Sequence, residues 1–468
     1  MSIYELSQEV VKGARPIGGL AVSCLLRKMR TEGAEIAGLG TANLPLLDIL
    51  PALGVTRITV RDRHMPSPGI AARLHEMGAD LVTGEGYLDG MRGVILRTPS
   101  LRPDAPGLLA ARERGAAVIS EMALFLALCP AEIYAVTGSD GKTTTAMMAA
   151  AMLEQAGRCV HLGGNIGTPL LAALPEIARE DAVVLELSSF QLSDLEAPPG
   201  RSAITNVTEN HLDWHTDMGE YLAAKARILG RGTAVLNAGC PWTAPLALGR
   251  DALLFSATLP PLGDTPSIFC EGGIVKLSDG GVCPLFPEAA VRLPGRYNLE
   301  NAMAAAGLVL PAVPPEAIEA ALGGFCGARH RCEYLGILGG VRCYDSSIDT
   351  TPARTAATLS AFREPPVVLL GGRGKRLSLA PLAECVTKRA AGAVLFGEEA
   401  EAIAGALCEA DPGFRFSLAP DFDTAVRHGH AMAGVGGALL LSPACTSFDL
   451  FSDYKERGDR FADVCRCL

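Results

Sequence analysis

The chain has 468 residues, enough for about two to four domains that each bury a core. Residues are 49% hydrophobic and 20% charged, which excludes extended disorder, and 41 basic against 51 acidic residues leave a net charge of -10 and no basic field to collect nucleic acid. The opening MSIYELSQEVVKGARPIGGL lacks the pattern of a secretory leader, no apolar run reaches about 18 residues, and the 14 cysteines are scattered with only Cys465 and Cys467 close together, so a cytoplasmic protein without membrane insertion, zinc framework or disulfide framework is expected.

Short apolar runs ending in glycine alternate with helical stretches, which predicts parallel α/β architecture. The pattern starts three times. The first unit runs from Glu35-Ile36-Ala37-Gly38-Leu39-Gly40 to Val118-Ile119 and includes Ile58-Thr59-Val60-Arg61-Asp62, a strand ending in a carboxylate. Gly38 and Gly40 suggest a tight turn near a phosphate or sugar, although turn chemistry alone accounts for them equally well.

The second unit opens with Ile133-Tyr134-Ala135-Val136-Thr137 and runs through Ala182 to Leu187 and Ser202 to Val207; residues 246–295 then read as a small antiparallel excursion. The third carries Val367 to Gly372, Ala393 to Gly397 and Leu439 to Pro443.

The strongest local signal is Thr137-Gly138-Ser139-Asp140-Gly141-Lys142-Thr143-Thr144, placed between an apolar strand and a helical run. Glycines let backbone N–H groups and the helix N-terminus face phosphate oxygens, Lys142 reaches the terminal phosphates, and the Thr143 hydroxyl suits Mg2+. Counted from Gly138, the loop is two residues shorter than the usual phosphate-loop pattern. Glu186 closes the next strand, where it can hold a metal or cap a helix, and His211 follows the one after, in Asn206-Val207-Thr208-Glu209-Asn210-His211-Leu212-Asp213.

With these segments in hand, the chain resembles the Mur ligases, which add amino acids to UDP-N-acetylmuramoyl peptides in bacterial cell-wall synthesis. The likeness runs nearly end to end. It is greatest to the branch that adds D-glutamate to UDP-N-acetylmuramoyl-L-alanine, through Gly163-Gly164-Asn165-Ile166-Gly167-Thr168-Pro169, Glu186-Leu187-Ser188-Ser189-Phe190-Gln191-Leu192 and Leu441-Ser442-Pro443-Ala444-Cys445-Thr446-Ser447-Phe448-Asp449, continued by Glu456-Arg457-Gly458-Asp459-Arg460-Phe461.

The resemblance implies a Rossmann-like UDP-binding domain over 1–119, a central P-loop ATPase-type domain over 120–327 and a C-terminal Rossmann-like domain over 328–468, in a monomer. It implies ATP and Mg2+ as cofactors and an acyl-phosphate route, serving cell-wall growth, shape and division. ATP would meet Gly138, Ser139, Asp140, Gly141, Lys142, Thr143 and Thr144, with Asn298, Asn301, Arg331 and Asp345. Metal ligands would be Thr143, Glu186, His211 and a carbamylated Lys225, the carbamate replacing an ammonium that would repel Mg2+; Lys142, His211 and Lys225 would carry catalysis. Substrate would meet Thr41, Asp62, Arg63, Thr98, Asn165 and Ser188, and the incoming amino acid Lys375, Ser447 and Tyr454.

One segment departs from that branch. It usually reads Asp-Ser-Lys-Ala-Thr, whereas this chain has Asp345-Ser346-Ser347-Ile348-Asp349, leaving Ser347 and Asp349 for the lysine and threonine. Arg354 or Arg376 is expected to supply the missing cation. Another Mur-type or folylpolyglutamate-synthetase-like ligase and a silent precursor-binding protein are the alternatives. The Cys445 thiol is expected to be buried and structural.

Overall fold

The computed structural model describes residues 3–10, 16–167, 169–230, 232–261, 263–375 and 377–468. Two compact units are present, one formed by Met1–Phe286 with Glu300–Ala321, the other by Pro287–Leu299 with Leu322–Leu468.

The first unit holds two sheets. Strands β1 (Ala34–Ala37), β2 (Ile58–Asp62), β3 (Asp80–Thr83), β4 (Val94–Arg97) and β5 (Ala117–Ser120) lie in the order β3-β2-β1-β4-β5, all parallel. Alternate residues point to opposite faces: Ile36, Val60 and Leu96 join one core, Ala37, Ile95 and Val118 another. Both faces are therefore covered, as a parallel sheet requires.

The larger sheet contains β6 (Glu132–Thr137), β7 (Val160–Gly164), β8 (Ala182–Glu186), β9 (Arg201–Ile204), β10 (Ala234–Asn237), β11 (Ala252–Ser256), β12 (Ser267–Glu271), β13 (Ile274–Ser278) and β14 (Val282–Pro287). Their order is β14-β13-β12-β11-β10-β9-β6-β8-β7. The antiparallel excursion exists as the β12–β13 pairing, but it extends the central sheet, because β11 pairs parallel with both β10 and β12. The β6 strand sits between β8 and β9, so the loop that follows it is flanked by the ends of both.

In the second unit β15 (Glu333–Leu338), β16 (Val341–Asp345), β17 (Val367–Gly371), β18 (Gly392–Phe396), β19 (Phe416–Leu418) and β20 (Ala438–Ala444) are ordered β15-β16-β20-β17-β18-β19. Only β15 runs antiparallel to its neighbour. Val368 and Leu370 face a core with Leu382, Val386 and Ile403, while Val367 and Leu369 face one with Val426, Phe461 and Val464. The ends of β16, β20 and β17 come side by side, the position where open parallel sheets receive ligands.

Among the described residues, no helix is long and apolar enough to cross a membrane.

Candidate active site

The phosphate-type loop leaves β6 after buried Thr137, whose hydroxyl donates to Leu187 O at 2.7 Å. Ser139 N donates to Asn206 O at 2.9 Å and Asp140 N to Asn206 Oδ1 at 2.9 Å, which ties the loop to the end of β9. Gly141 has φ +77 and caps the helix Lys142–Gln155; a Cβ there would lie 2.1 Å from Asn301 Oδ1. Only glycine fits, so the helix begins with its first N–H groups open toward the sheet edge. Lys142 Nζ folds onto Ser139 O at 2.8 Å.

Buried Glu186 closes β8 beside this loop. Its Oε2 accepts from Thr143 Oγ1 at 2.7 Å and its Oε1 from Asn165 Nδ2 at 2.9 Å. Behind the loop, Ser139 Oγ lies 3.0 Å from the Tyr221 hydroxyl and donates to Thr208 O at 3.0 Å. Lys225 is 1% exposed; its Nζ donates to Gly138 O at 2.6 Å and stands 4.5 Å over the Tyr221 ring. Burial, and then the charge of Lys142, push its pKa from 10.5 to about 7. This lysine has lost the water that keeps an ordinary one charged. His211 is exposed, adopts φ +55 and sets its ring at 5.0 Å from that of Phe190.

At the edge of the first sheet, Gly38 (φ +86) would place a Cβ 2.4 Å from Thr98 Cγ2, so β1 and β4 meet without a side chain between them. Asp62 holds this turn, accepting from Leu39 N at 2.7 Å and from His64 N at 3.0 Å. Thr98 is buried, whereas Thr41 and Arg63 are exposed. Neighbouring Arg97 is fully buried and anchors the segment after β8, giving Nε to Asp194 Oδ2 at 2.7 Å and Nη2 to Ser193 Oγ at 2.8 Å. Ser188 makes the capping box of the short helix Ser189–Leu192, with Gln191 as its partner.

In the second unit buried Asp345 ends β16. It faces His330 Nδ1 at 2.7 Å and accepts from Ser347 N at 2.8 Å, and its hydrogen bond to the ring, more than its charge, raises the His330 pKa. Arg331 is exposed. Ser347 is buried and receives Arg457 Nε on its hydroxyl at 2.9 Å and Nη2 on its carbonyl at 2.9 Å, while its own hydroxyl donates to Tyr454 O at 2.8 Å. Buried Asp349 accepts from Thr358 at 2.7 Å and Ser442 at 2.8 Å. Lys375 is exposed and reaches Thr350 Oγ1 at 3.2 Å; Arg354 is exposed beside Ile348 O at 3.4 Å; Ser447 is buried. Arg376 lies outside the described residues. Burial raises the Cys445 thiol to about 12, which suits an inert thiol.

The Mur ligase middle domain matches residues 136–309, from β6 through the helix Arg296–Val309. The chain is 36% identical over 458 residues to the UDP-N-acetylmuramoylalanine--D-glutamate ligase of Clostridium botulinum, covering 94% of this chain and 98% of the relative. The enzyme of that name from Acetivibrio thermocellus is 36% identical over 463 residues, covering 94% and 97%. The chain belongs to the Mur ligase family. Solved structures agree in fold at lower identity. UDP-N-acetylmuramate-alanine ligase from Thermotoga maritima has a TM-score of 0.53 at 18% identity, covering 92% of this chain and 98% of that one. A UDP-N-acetylmuramoyl-L-alanyl-D-glutamate--2,6-diaminopimelate ligase has a TM-score of 0.58 at 15%, covering 87% and 92%.

For this Mur ligase the structure brings Gly141, Lys142, Thr143, Glu186, Asn165 and Lys225 to one sheet edge, together with buried Asn301. Asn298, one turn earlier on the same helix, is assigned to the other unit and donates to Pro294 O at 2.6 Å. Sequence reasoning assigned no role to Tyr221, Asn206, His330 or Arg457. Tyr221 meets Ser139 82 residues away, Asn206 meets Asp140 66 away, His330 meets Asp345 15 away and Arg457 meets Ser347 110 away, contacts that no local spacing marks.

Proposed function

We propose that this Mur ligase joins D-glutamate to UDP-N-acetylmuramoyl-L-alanine, consuming ATP and forming an acyl phosphate, in the synthesis of peptidoglycan precursors. The relatives' names support the substrates, and the hydrogen bond between Thr143 and Glu186 beside the loop of Gly138 to Thr144 carries the reading. In the proposed arrangement the domains are 1–119, 120–327 and 328–468.

The donor set fits a hard cation: a carboxylate and a hydroxyl stand 2.7 Å apart at the mouth of a phosphate-type loop. Thr143, Glu186, His211 and a carbamylated Lys225 would hold Mg2+, which when bound would offset phosphate charge. The half-neutral Lys225 amine is suited to adding CO2, its nitrogen bonding to carbon as its proton leaves to water. Tyr221 and Gly138 O hold that amine in place. Helix N–H groups after Gly141 and the Lys142 ammonium orient the terminal phosphate toward the muramoyl-alanine carboxylate. Asp62 and Thr98 shape the UDP end, with Thr41, Arg63 and Ser188 nearby in sequence to their strand ends. Asn298, Arg331 and Asp345 complete the nucleotide contacts, and Lys375, Ser447 and Tyr454 receive the amino acid, with Arg354 as the added cation. The enzyme acts as a monomer in the cytoplasm, where ATP is regenerated.

A different amino-acid substrate is the second reading. Ser347 and Asp349 are both engaged internally and offer the substrate no cation. Phosphate release with ATP, Mg2+ and UDP-N-acetylmuramoyl-L-alanine against a panel of amino acids tests both. Turnover with D-glutamate alone supports the proposal, turnover with another amino acid moves the specificity, and none with any supports a silent binding protein.

A further inference from the structure

At the opposite edge of the central sheet, the starts of β7 and β8 carry a second group of ligand-type side chains. Cys159 and His161 are two residues apart on extended chain, so their side chains share a face. The parallel register pairs Val160 with Ala182, and Ala182 N donates to Cys159 O at 2.9 Å, which places Asp181 beside Cys159. His161 Nε2 lies 2.9 Å from Asp181 Oδ2 and 4.0 Å from Cys159 Sγ, and the three ligand atoms all lie within 4.8 Å of one another. Asp181 is buried and fixed by Ala178 N at 2.9 Å, His161 is partly buried, and Cys159 opens to solvent. Arg158, next in sequence to Cys159, turns its guanidinium to the backbone carbonyls of Glu180 and Asp181, both at 3.0 Å.

We propose that Cys159, His161 and Asp181 form a binding site for a zinc-type divalent cation, with one position left to water. Thiolate, imidazole and carboxylate suit such an ion, and the two anionic ligands balance its charge. The cation would replace the hydrogen between His161 and Asp181 and draw in the Cys159 sulfur. Asp181 and Glu186 lie at opposite ends of β8, five residues or roughly 16 Å apart, so this centre is separate from the phosphate-type loop. The alternative is a plain histidine–aspartate hydrogen bond beside a bystander thiol.

Co2+ added to the full-length, reduced protein distinguishes them. The expected result is one equivalent bound with the intense visible bands of a four-coordinate site and a thiolate charge-transfer band. Zn2+ should displace it, and both features should vanish in Cys159→Ala, with affinity lowered by on the order of tenfold or more in His161→Ala and Asp181→Asn. Absence of the thiolate band, or a band that persists in Cys159→Ala, overturns the proposal. The variants should keep wild-type phosphate release with Mg2+, so the outcome is read independently of the proposed reaction.

Discussion

Replacing Lys225 by Met should make the protein more stable near neutral pH while abolishing ligation. The lysine is 1% exposed and its pKa falls from 10.5 to about 7, chiefly through burial. Its folded form therefore binds fewer protons than its unfolded form between those values, so the penalty is present in full below about pH 7 and fades as pH rises toward 10.5. That gap corresponds to on the order of 5 kcal/mol. The bond to Gly138 O returns about 1 kcal/mol, and the stacking on Tyr221 roughly 1 to 2. A Met of similar volume should then gain about 2 kcal/mol at pH 6, and the gain should disappear by about pH 10. Urea unfolding in CO2-free buffer, followed by fluorescence, measures it directly. Both tryptophans, Trp214 and Trp242, lie in the same compact unit as Lys225. A variant less stable at pH 6, or a difference that does not change from pH 6 to 10, would refute the reasoning.

Thr143→Val removes the hydroxyl on Glu186 and should lower kcat on the order of 100-fold or more, with unfolding midpoints moving by no more than about 1 kcal/mol; steady-state kinetics beside denaturation checks both. Arg354→Ala should raise the KM for the amino acid about tenfold and leave that for ATP unchanged, because the side chain is exposed and its contact to Ile348 O is long; equal KM values in variant and wild type would count against its role. Glu121 is buried with its Oε2 unpartnered, and burial raises its pKa from 4.5 to about 8 against an opposing effect of Arg97. A raised carboxyl pKa adds stability that is present below about pH 4.5 and lost as pH climbs through about 8, so Glu121→Gln should flatten the pH dependence of unfolding over that range. Parallel profiles for the two proteins would show that another group controls it.

Periodicity and glycine placement made the three α/β restarts legible, because parallel strands buried on both faces appear as short apolar runs such as Ala182 to Leu187 and Val367 to Gly372. The phosphate-type loop was legible for the same reason: its function depends on consecutive backbone groups, so its residues are neighbours in sequence. The extent of the central sheet was less so. Residues 246–295 read as a small antiparallel excursion, and hydrogen bonding of β11 to β10 makes their strands a continuation of the central sheet.

By itself the sequence determined the α/β class, the loop from Gly138 to Thr144 and the strand-end position of Glu186, since each is written in contiguous residues. Only the tertiary structure decided that Lys225 is buried over Tyr221 with a pKa near 7, that Arg457 fills the space beside Ser347, and that Cys159 and Asp181 stand next to each other. Charge state and ligand geometry depend on which distant groups exclude water from a side chain, and local pattern holds no record of those groups.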